Sequence, residues 1–428
     1  MLKKLIYLNI VFAIVLNWFS ENPDISLYGM SYLGIMPKQL FGLVELFSIV
    51  IFIILLKHFR KNKTFNLTLL IIFMGVLFYI PYTILWGGNI YNVLLGLRNF
   101  VSFVPIFFAG YYLSQKGYSI KPYLTLIVLL CLVQIPVTIF QYLFSFSLLT
   151  RGTSYDAVAG TMGGLNTNVL AILLICVIIT LIKIYLRFKS KKFLVIAALL
   201  FIPPVLGDAK GVFVLLFIGL IFLLMLSEVS INRKITFTFV SVIMFSLLSI
   251  LYTNIIQEES RRVLDPEYYL TYEVSKKYRE GDNIRLSRIE SVSYATELVN
   301  NNPFTFIFGY GLGNASRNNL YGSDGEYFSS TKIIHFWDKT LTEIGFLGFF
   351  LVLSLMVRIF FILRRLEKRL FYQDEFISTL SGGMSIVILL MVLSGFYTDH
   401  ISKVQIMYPL SLLLGYLYSS YNLSKRNH

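Results

Sequence analysis

The sequence predicts an all-α, polytopic integral membrane protein with about twelve transmembrane helices and one long, partly helical loop. Three observations carry that expectation. Of the 428 residues, 56% are hydrophobic and 14% are charged, with a mean hydropathy of +0.72, whereas a soluble domain is nearer half apolar and about a quarter charged. The apolar residues gather in runs long enough to cross a bilayer, which takes roughly 20 residues. The basic residues cluster in the short polar intervals between runs, as they do on the cytoplasmic side of membrane proteins.

Taken in order, the first span falls near 3–20, its apolar run Leu5 to Phe19 following Lys3 and Lys4. It imitates a signal peptide, but no small-residue cleavage site follows, so it is read as a retained helix. Further runs fall at 39–57, 65–86, 92–114, 122–146, 165–186, 193–207, 211–226 and 235–253. After a polar stretch come 340–363, 376–397 and 403–420. The expected organisation is therefore helices 1–9 over 1–253, an outer loop over 254–338, and helices 10–12 over 339–428. Pro203 and Pro204 interrupt the seventh run near one end. A broken or re-entrant helix is expected there, and such backbone is tolerated only against protein or a polar cavity.

Topology follows from charge. Lys57, Arg60, Lys61 and Lys63 form one cluster; Arg187, Lys189, Lys191 and Lys192 a second; Arg364, Arg365, Lys368 and Arg369 a third. An amino terminus inside the cell puts all three on the cytoplasmic side, with Lys425 and Arg426 at an inner carboxy terminus. The loop 254–338, Arg151, the turn from Gly207 to Lys210, and the segment around Asp399 and His400 then face outward. The net charge of +14 does not imply nucleic acid as a partner. The long loop holds nine Lys and Arg against twelve Asp and Glu, so it offers no basic stripe for a phosphate backbone. Cys131 and Cys176 both lie in apolar runs and suggest neither a disulfide framework nor a metal site. No Cys/His cluster and no His-Glu-x-x-His is present, and Glu21 and Asp24 alone make a weak case, so no metal and no cofactor are assigned.

The candidate chemistry sits where the loop meets the tenth span. A helix starting near His335 places His335, Asp338 and Thr342 on one face, with Glu343 near it. Two readings of His335 stand: a surface histidine that caps a helix, and a general base held by a carboxylate. Gly345 and Gly348 follow on what reads as the same helix, where small residues let helices approach closely. Upstream, 283–299 reads as an amphipathic helix with Ile289, Val292, Ala295 and Val299 on one face, ended by Asn301-Asn-Pro303. It carries Arg285 and Arg288, either solvated or held at headgroup level for bidentate phosphate contact. Lys210, next to Asp208, either snorkels or serves the site. Arg98 is a further cation in the outer half of a span. Gly309-Tyr-Gly-Leu-Gly313 lacks the following Gly-Lys-Ser/Thr of a nucleotide-binding loop and reads as a turn with close backbone approach.

In this order the residues resemble the O-antigen ligase and polymerase-like (Wzy-C) superfamily. The resemblance rests on His335, nine intervening residues and Gly345-x-x-Gly348, and on Asn302-Pro-Phe-Thr-Phe-Ile-Phe-Gly-Tyr-Gly-Leu-Gly313 before them. Arg288, fifteen residues ahead of Pro303, is similar in place to that family's loop arginine, and Gly160-Thr-Met-Gly-Gly-Leu-Asn-Thr-Asn168 to its outer loop. Phe336 departs from the Asn, Ser or Gln that usually follows the histidine, and Lys210 stands where many members have arginine. The resemblance covers the middle and last third of the chain.

It implies a GT-C-like membrane glycosyltransferase in the bacterial cytoplasmic (inner) membrane. The implied reaction moves a glycan from a polyprenyl-diphosphate-linked oligosaccharide donor to a hydroxyl of a glycan acceptor. His335 would be catalytic. Arg288, Arg285, Lys210 and Arg98 would bind the diphosphate, and Asp338, Glu343, Gly345 and Gly348 would support them. Tyr268, Tyr269, Tyr272 and Tyr278 could stack on sugars or simply pack. The lipid bilayer, a flippase and a chain-length regulator are the partners implied. The favoured reaction is polymerisation of O-antigen or capsule repeat units. Ligation of a finished glycan to lipid A–core is the alternative within the family. A polysaccharide flippase or transporter is the alternative of another class, disfavoured because the spans are nearly free of charge.

Overall fold

The computed structural model describes residues 1–20, 33–37, 40, 42–59, 63–149, 158–164, 166–207, 209–227, 288–316, 325–327 and 335–426. Among them the regular structure is all helical, and the one β-bridge, Ser20 with Met36, belongs to no strand. The helices are α1 (Leu2–Val15), α2 (Gly42–Phe59), α3 (Lys63–Leu85), α4 (Ile90–Val101), α5 (Val104–Gln115) and α6 (Lys121–Leu149). There follow α7 (Thr167–Phe188), α8 (Lys191–Leu199), α9 (Ile202–Leu206) and α10 (Lys210–Leu226). The chain then supplies α11 (Arg288–Val299), α12 (Pro303–Phe308), α13 (Phe336–Arg369), α14 (Glu375–Ser394) and α15 (Val404–Arg426). Among the described residues eight helical stretches are long and apolar enough to cross a membrane. The chain is therefore a multi-pass helical membrane protein. The expected span 235–253 lies outside the described residues.

Helix α7 is apolar on every side and buried along almost its whole length, which is the pattern of an interior helix. It packs against α14, also buried along most of its length. The opposite case is α3, whose Leu67, Leu70, Ile71, Phe73, Met74 and Leu77 are all exposed. In a bilayer such side chains face lipid and cost nothing. The run at 193–207 is broken as Pro203 and Pro204 require: α8 ends at Leu199, and α9 opens with the prolines in its first turn. The run at 92–114 is also broken, into α4 and α5, with Pro105 in the first turn of α5.

One end of the bundle collects the basic residues. Lys3 lies over the Tyr118 ring, Lys121 over Phe376, Arg187 over Phe371 and Arg369 over Tyr421. Here Glu367 is held between two cations: Lys183 Nζ lies 2.7 Å from Oε1, and Arg364 pairs with Oε2. Arg364 also donates to the Leu226 carbonyl, and Ser378 Oγ donates to the Glu367 carbonyl. This largely buried network ties α7, α10, α13 and α14 together. Breaking such a network at one member leaves an uncompensated charge. The other end of the bundle holds the loops that build the candidate site.

Candidate functional site

The site is built on the first nine residues of α13. His335 is the N-cap, with extended backbone, and Asp338 is the third helical residue. Asp338 Oδ2 accepts the His335 backbone N–H at 3.1 Å, as the acidic partner of a capping box does. The same oxygen lies 3.1 Å from His335 Nδ1. A carboxylate only accepts, so Nδ1 donates in this contact; in the neutral imidazole Nε2 then presents the lone pair. His335 is 6% exposed and Asp338 0%. The histidine is thus a helix cap and a carboxylate-held imidazole at once. Ser291 of α11 also bonds Asp338 Oδ2. Of Arg288, one turn ahead of Ser291, the backbone alone is described, and Arg285 lies outside the described residues. The four loop tyrosines and Arg151 lie outside them too.

The structure corrects the reading of Gly345 and Gly348 as a small-residue pair on one continuous helix. Gly345 has φ 64° and ψ −170°, so the helix stops at Ile344 and restarts beyond it. The break frees carbonyls, and the glycine-rich loop takes them. Tyr310 N–H donates to the Thr342 carbonyl at 2.7 Å and Gly311 N–H to that of Glu343 at 3.0 Å. Gly309, Gly311 and Gly313 all have positive φ, and a Cβ on Gly313 would strike the Asn92 backbone. The loop lies wedged between the short arm of α13 and α4. Asn314 secures it, donating to the Tyr310 carbonyl at 2.7 Å and accepting from Asn92 Nδ2 at 3.2 Å.

Charges converge around this arm. Lys339 Nζ is 3.2 Å from Asp399 Oδ2, in the connection between α14 and α15. Burial pushes the Asp399 carboxyl up, but Lys339 and Lys403 outweigh it and hold it below the usual carboxylate value. Lys403, just before α15, lies within electrostatic reach of Asp399, Lys339 and Arg98. Arg98 of α4 pairs with Glu45 of α2. Glu343 is fully buried: Oε1 accepts from Ser316 Oγ at 2.5 Å, and Oε2 meets no hydrogen-bond partner among the described residues. Ser316 accepts in turn from Asn99 Nδ2 at 3.2 Å. Lys210 begins α10, and its side chain is not described. Its neighbour Gly211 abuts the ring of Tyr397, two residues before Asp399.

The structure therefore brings Arg98, His335, Asp338 and Glu343 to one end of the bundle. It adds Lys339, Lys403, Ser316 and Ser291, to which sequence reasoning gave no part in the site, and Asp399, which it placed on the outer side without a role in the favoured mechanism. A signal for Lys339 existed: it precedes Glu343 by four residues on one helical face. Among the described residues no group of three or more His, Cys, Asp or Glu side chains stands together as a metal site requires.

His400 shows the contrast with His335. It is fully buried, its Nδ1 facing the Thr398 carbonyl at 3.2 Å and its Nε2 near Ser394 Oγ at 3.1 Å. Burial pushes its pKa down from 6.5 to about 4, against the pull of the Thr398 carbonyl and Asp399. It is a neutral structural imidazole. The unfolded chain takes up a proton here near pH 6.5 and the fold does not. Stability from this group is whole above about pH 6.5 and is lost as pH falls toward 4. Between pH 7 and pH 5 the loss is roughly 2 kcal/mol. Thermal melting of the detergent-solubilised protein should show it, and His400→Gln should flatten the slope. An unchanged slope in that variant would place the titration elsewhere.

No family model matches the chain, and a search of curated proteins finds no relative. Fold and site together define a class: a multi-pass helical membrane protein with a buried His–Asp pair and clustered cations at one end.

Proposed function

We propose that the chain is a membrane glycosyltransferase of about twelve spans and GT-C-like plan. It polymerises surface polysaccharide repeat units from a polyprenyl-diphosphate carrier on the outer face of the bacterial cytoplasmic membrane. The observation that carries the reading is the buried His335–Asp338 pair, seated among Arg98, Lys339 and Lys403 where the loops meet the apolar bundle. Transfer from such a donor needs two things. The acceptor hydroxyl must lose a proton as its oxygen attacks the anomeric carbon, and His335 Nε2 takes it. The carbon–oxygen bond to the diphosphate breaks, and its electron pair leaves with the lipid diphosphate. Preorganised cations at low dielectric stabilise that charge. Arg288 and Lys210 join Arg98, Lys339 and Lys403 in this role. The basic end of the bundle lies in the cytoplasm, with both chain termini, as the distribution of Lys and Arg favours.

The test is transfer by purified protein from a synthetic polyprenyl-diphosphate oligosaccharide, without nucleotide and in excess chelator. Longer lipid-linked chains are the expected product, because the donor bond supplies the energy and the cations the charge stabilisation. Activity that vanishes in chelator and returns only with a divalent ion overturns the cation-based mechanism. In a deletion strain, single repeats on the carrier mark a polymerase. Long chains left unattached to lipid A–core mark a ligase instead.

A further inference from the structure

Helix α11 buries Ser291, Ala295 and Val299, at spacings of four residues, all 0% exposed. This is the stripe of a packed helix, yet one of its three members is polar. Alanine would fill the place of Ser291 equally well. A buried hydroxyl requires a partner, and this one is Asp338 Oδ2. The helix is pinned at its far end as well: Thr305 Oγ1 donates to the Val299 carbonyl and Tyr310 Oη to that of Leu298, each at 2.8 Å. The hydroxyl is therefore presented by a fixed element.

Asp338 Oδ2 thus accepts from Ser291, from the His335 backbone and from His335 Nδ1, while Oδ1 accepts the Lys339 N–H at 2.6 Å. The Ser291 donor does two things to the carboxylate. It fixes the plane of the group, and hence the direction of Nε2. It also draws off charge that would otherwise pull on the imidazole proton. We infer that Ser291 is a positioning residue through which the docked outer helix α11 sets the orientation and proton affinity of the His335 imidazole. Arg288 lies one turn away on the same face of α11. Docking that helix therefore brings the Arg288 position and the tuning of the base to the site together. The kinetic consequence rests on the transfer reading above; the effect on the imidazole rests on the geometry alone.

The experiment reads the imidazole without reference to transfer. Diethyl pyrocarbonate modifies neutral imidazole, and mass-spectrometric mapping reports the His335 peptide separately from the other histidines. In Ser291→Ala the midpoint of modification against pH should move upward, by up to about one unit, because Asp338 then holds the imidazolium more strongly. Ser291→Thr, which keeps the hydroxyl, should return it toward wild type. The same midpoint in wild type and Ser291→Ala overturns the inference. So does a shift that Ser291→Thr fails to reverse while melting like wild type. In the transfer assay, Ser291→Ala should lose roughly tenfold in kcat with KM little changed, and the acid limb of its profile should move with the midpoint. A moved midpoint in a protein that transfers no glycan leaves the positioning role standing and removes the glycosyltransferase reading instead.

Discussion

His335→Ala is expected to abolish glycan transfer while the protein still inserts and melts normally. The loss should be roughly 10²–10⁴-fold, the usual contribution of a positioned general base. Removing the ring costs the fold the histidine's half of the capping box and leaves the other half in place. The bond from the His335 backbone N–H to Asp338 closes the start of α13, and alanine keeps that N–H. Asp338→Asn is the sharper companion. It keeps size and removes charge, and an amide can hold the imidazole in the wrong tautomer. In hydrolases built on a His–Asp pair that change costs roughly 10⁴. Polysaccharide length in a deletion strain carrying each variant is the readout, with carrier-linked single repeats as the expected phenotype. Normal length in the His335→Ala strain would return the histidine to a capping role alone.

Much of this site was legible along the chain, for reasons that are local. His335 and Asp338 lie three residues apart at the edge of an apolar run, so their meeting follows from helix geometry. The prolines at 203 and 204 announce a break wherever they stand. The glycines at 309, 311 and 313 announce positive φ or close approach, and the structure has both. What could not be read is what depends on a distant partner. Ser291 is 47 residues from Asp338 and Lys339 is 60 from Asp399; no periodicity records such pairs. Arg98 reads as a lone cation because Glu45 comes from another helix. Lys183 sits near the end of a long apolar helix, where snorkelling is the ordinary account, and only the fold reveals Glu367 beside it. Gly345 was the most misleading. In an apolar run, two glycines three apart describe a packing face, and the backbone angle that makes the first one a break is invisible in sequence.

That angle yields the second large effect. Gly345→Ala is expected to destabilise the protein by more than about 3 kcal/mol and to remove activity with it. The combination of φ 64° and ψ −170° is one that residues with a Cβ almost never occupy, at a cost of roughly 1–3 kcal/mol. A Cβ there would also press on the Ile307 carbonyl oxygen and the Gly309 nitrogen. These are backbone atoms, and they cannot turn aside. Gly309 N–H is committed to the Thr305 carbonyl at 2.8 Å, and the next two amides to the carbonyls of Thr342 and Glu343. Relief comes only by separating loop from helix. That breaks those two bonds at about 1 kcal/mol each and releases the arm that carries Asp338, Lys339 and Glu343. Gly348→Ala is the control. Its Cβ would crowd the side chain of Ile344, including the Cβ that no rotamer moves, but Gly348 has no positive φ and alanine favours the helix it joins by about 1 kcal/mol. Gly345→Ala should therefore melt lower and give less membrane-inserted protein than Gly348→Ala. A Gly345→Ala protein as stable as Gly348→Ala would mean that the helix runs through this point, and that the glycine loop is held to the arm by something other than the break.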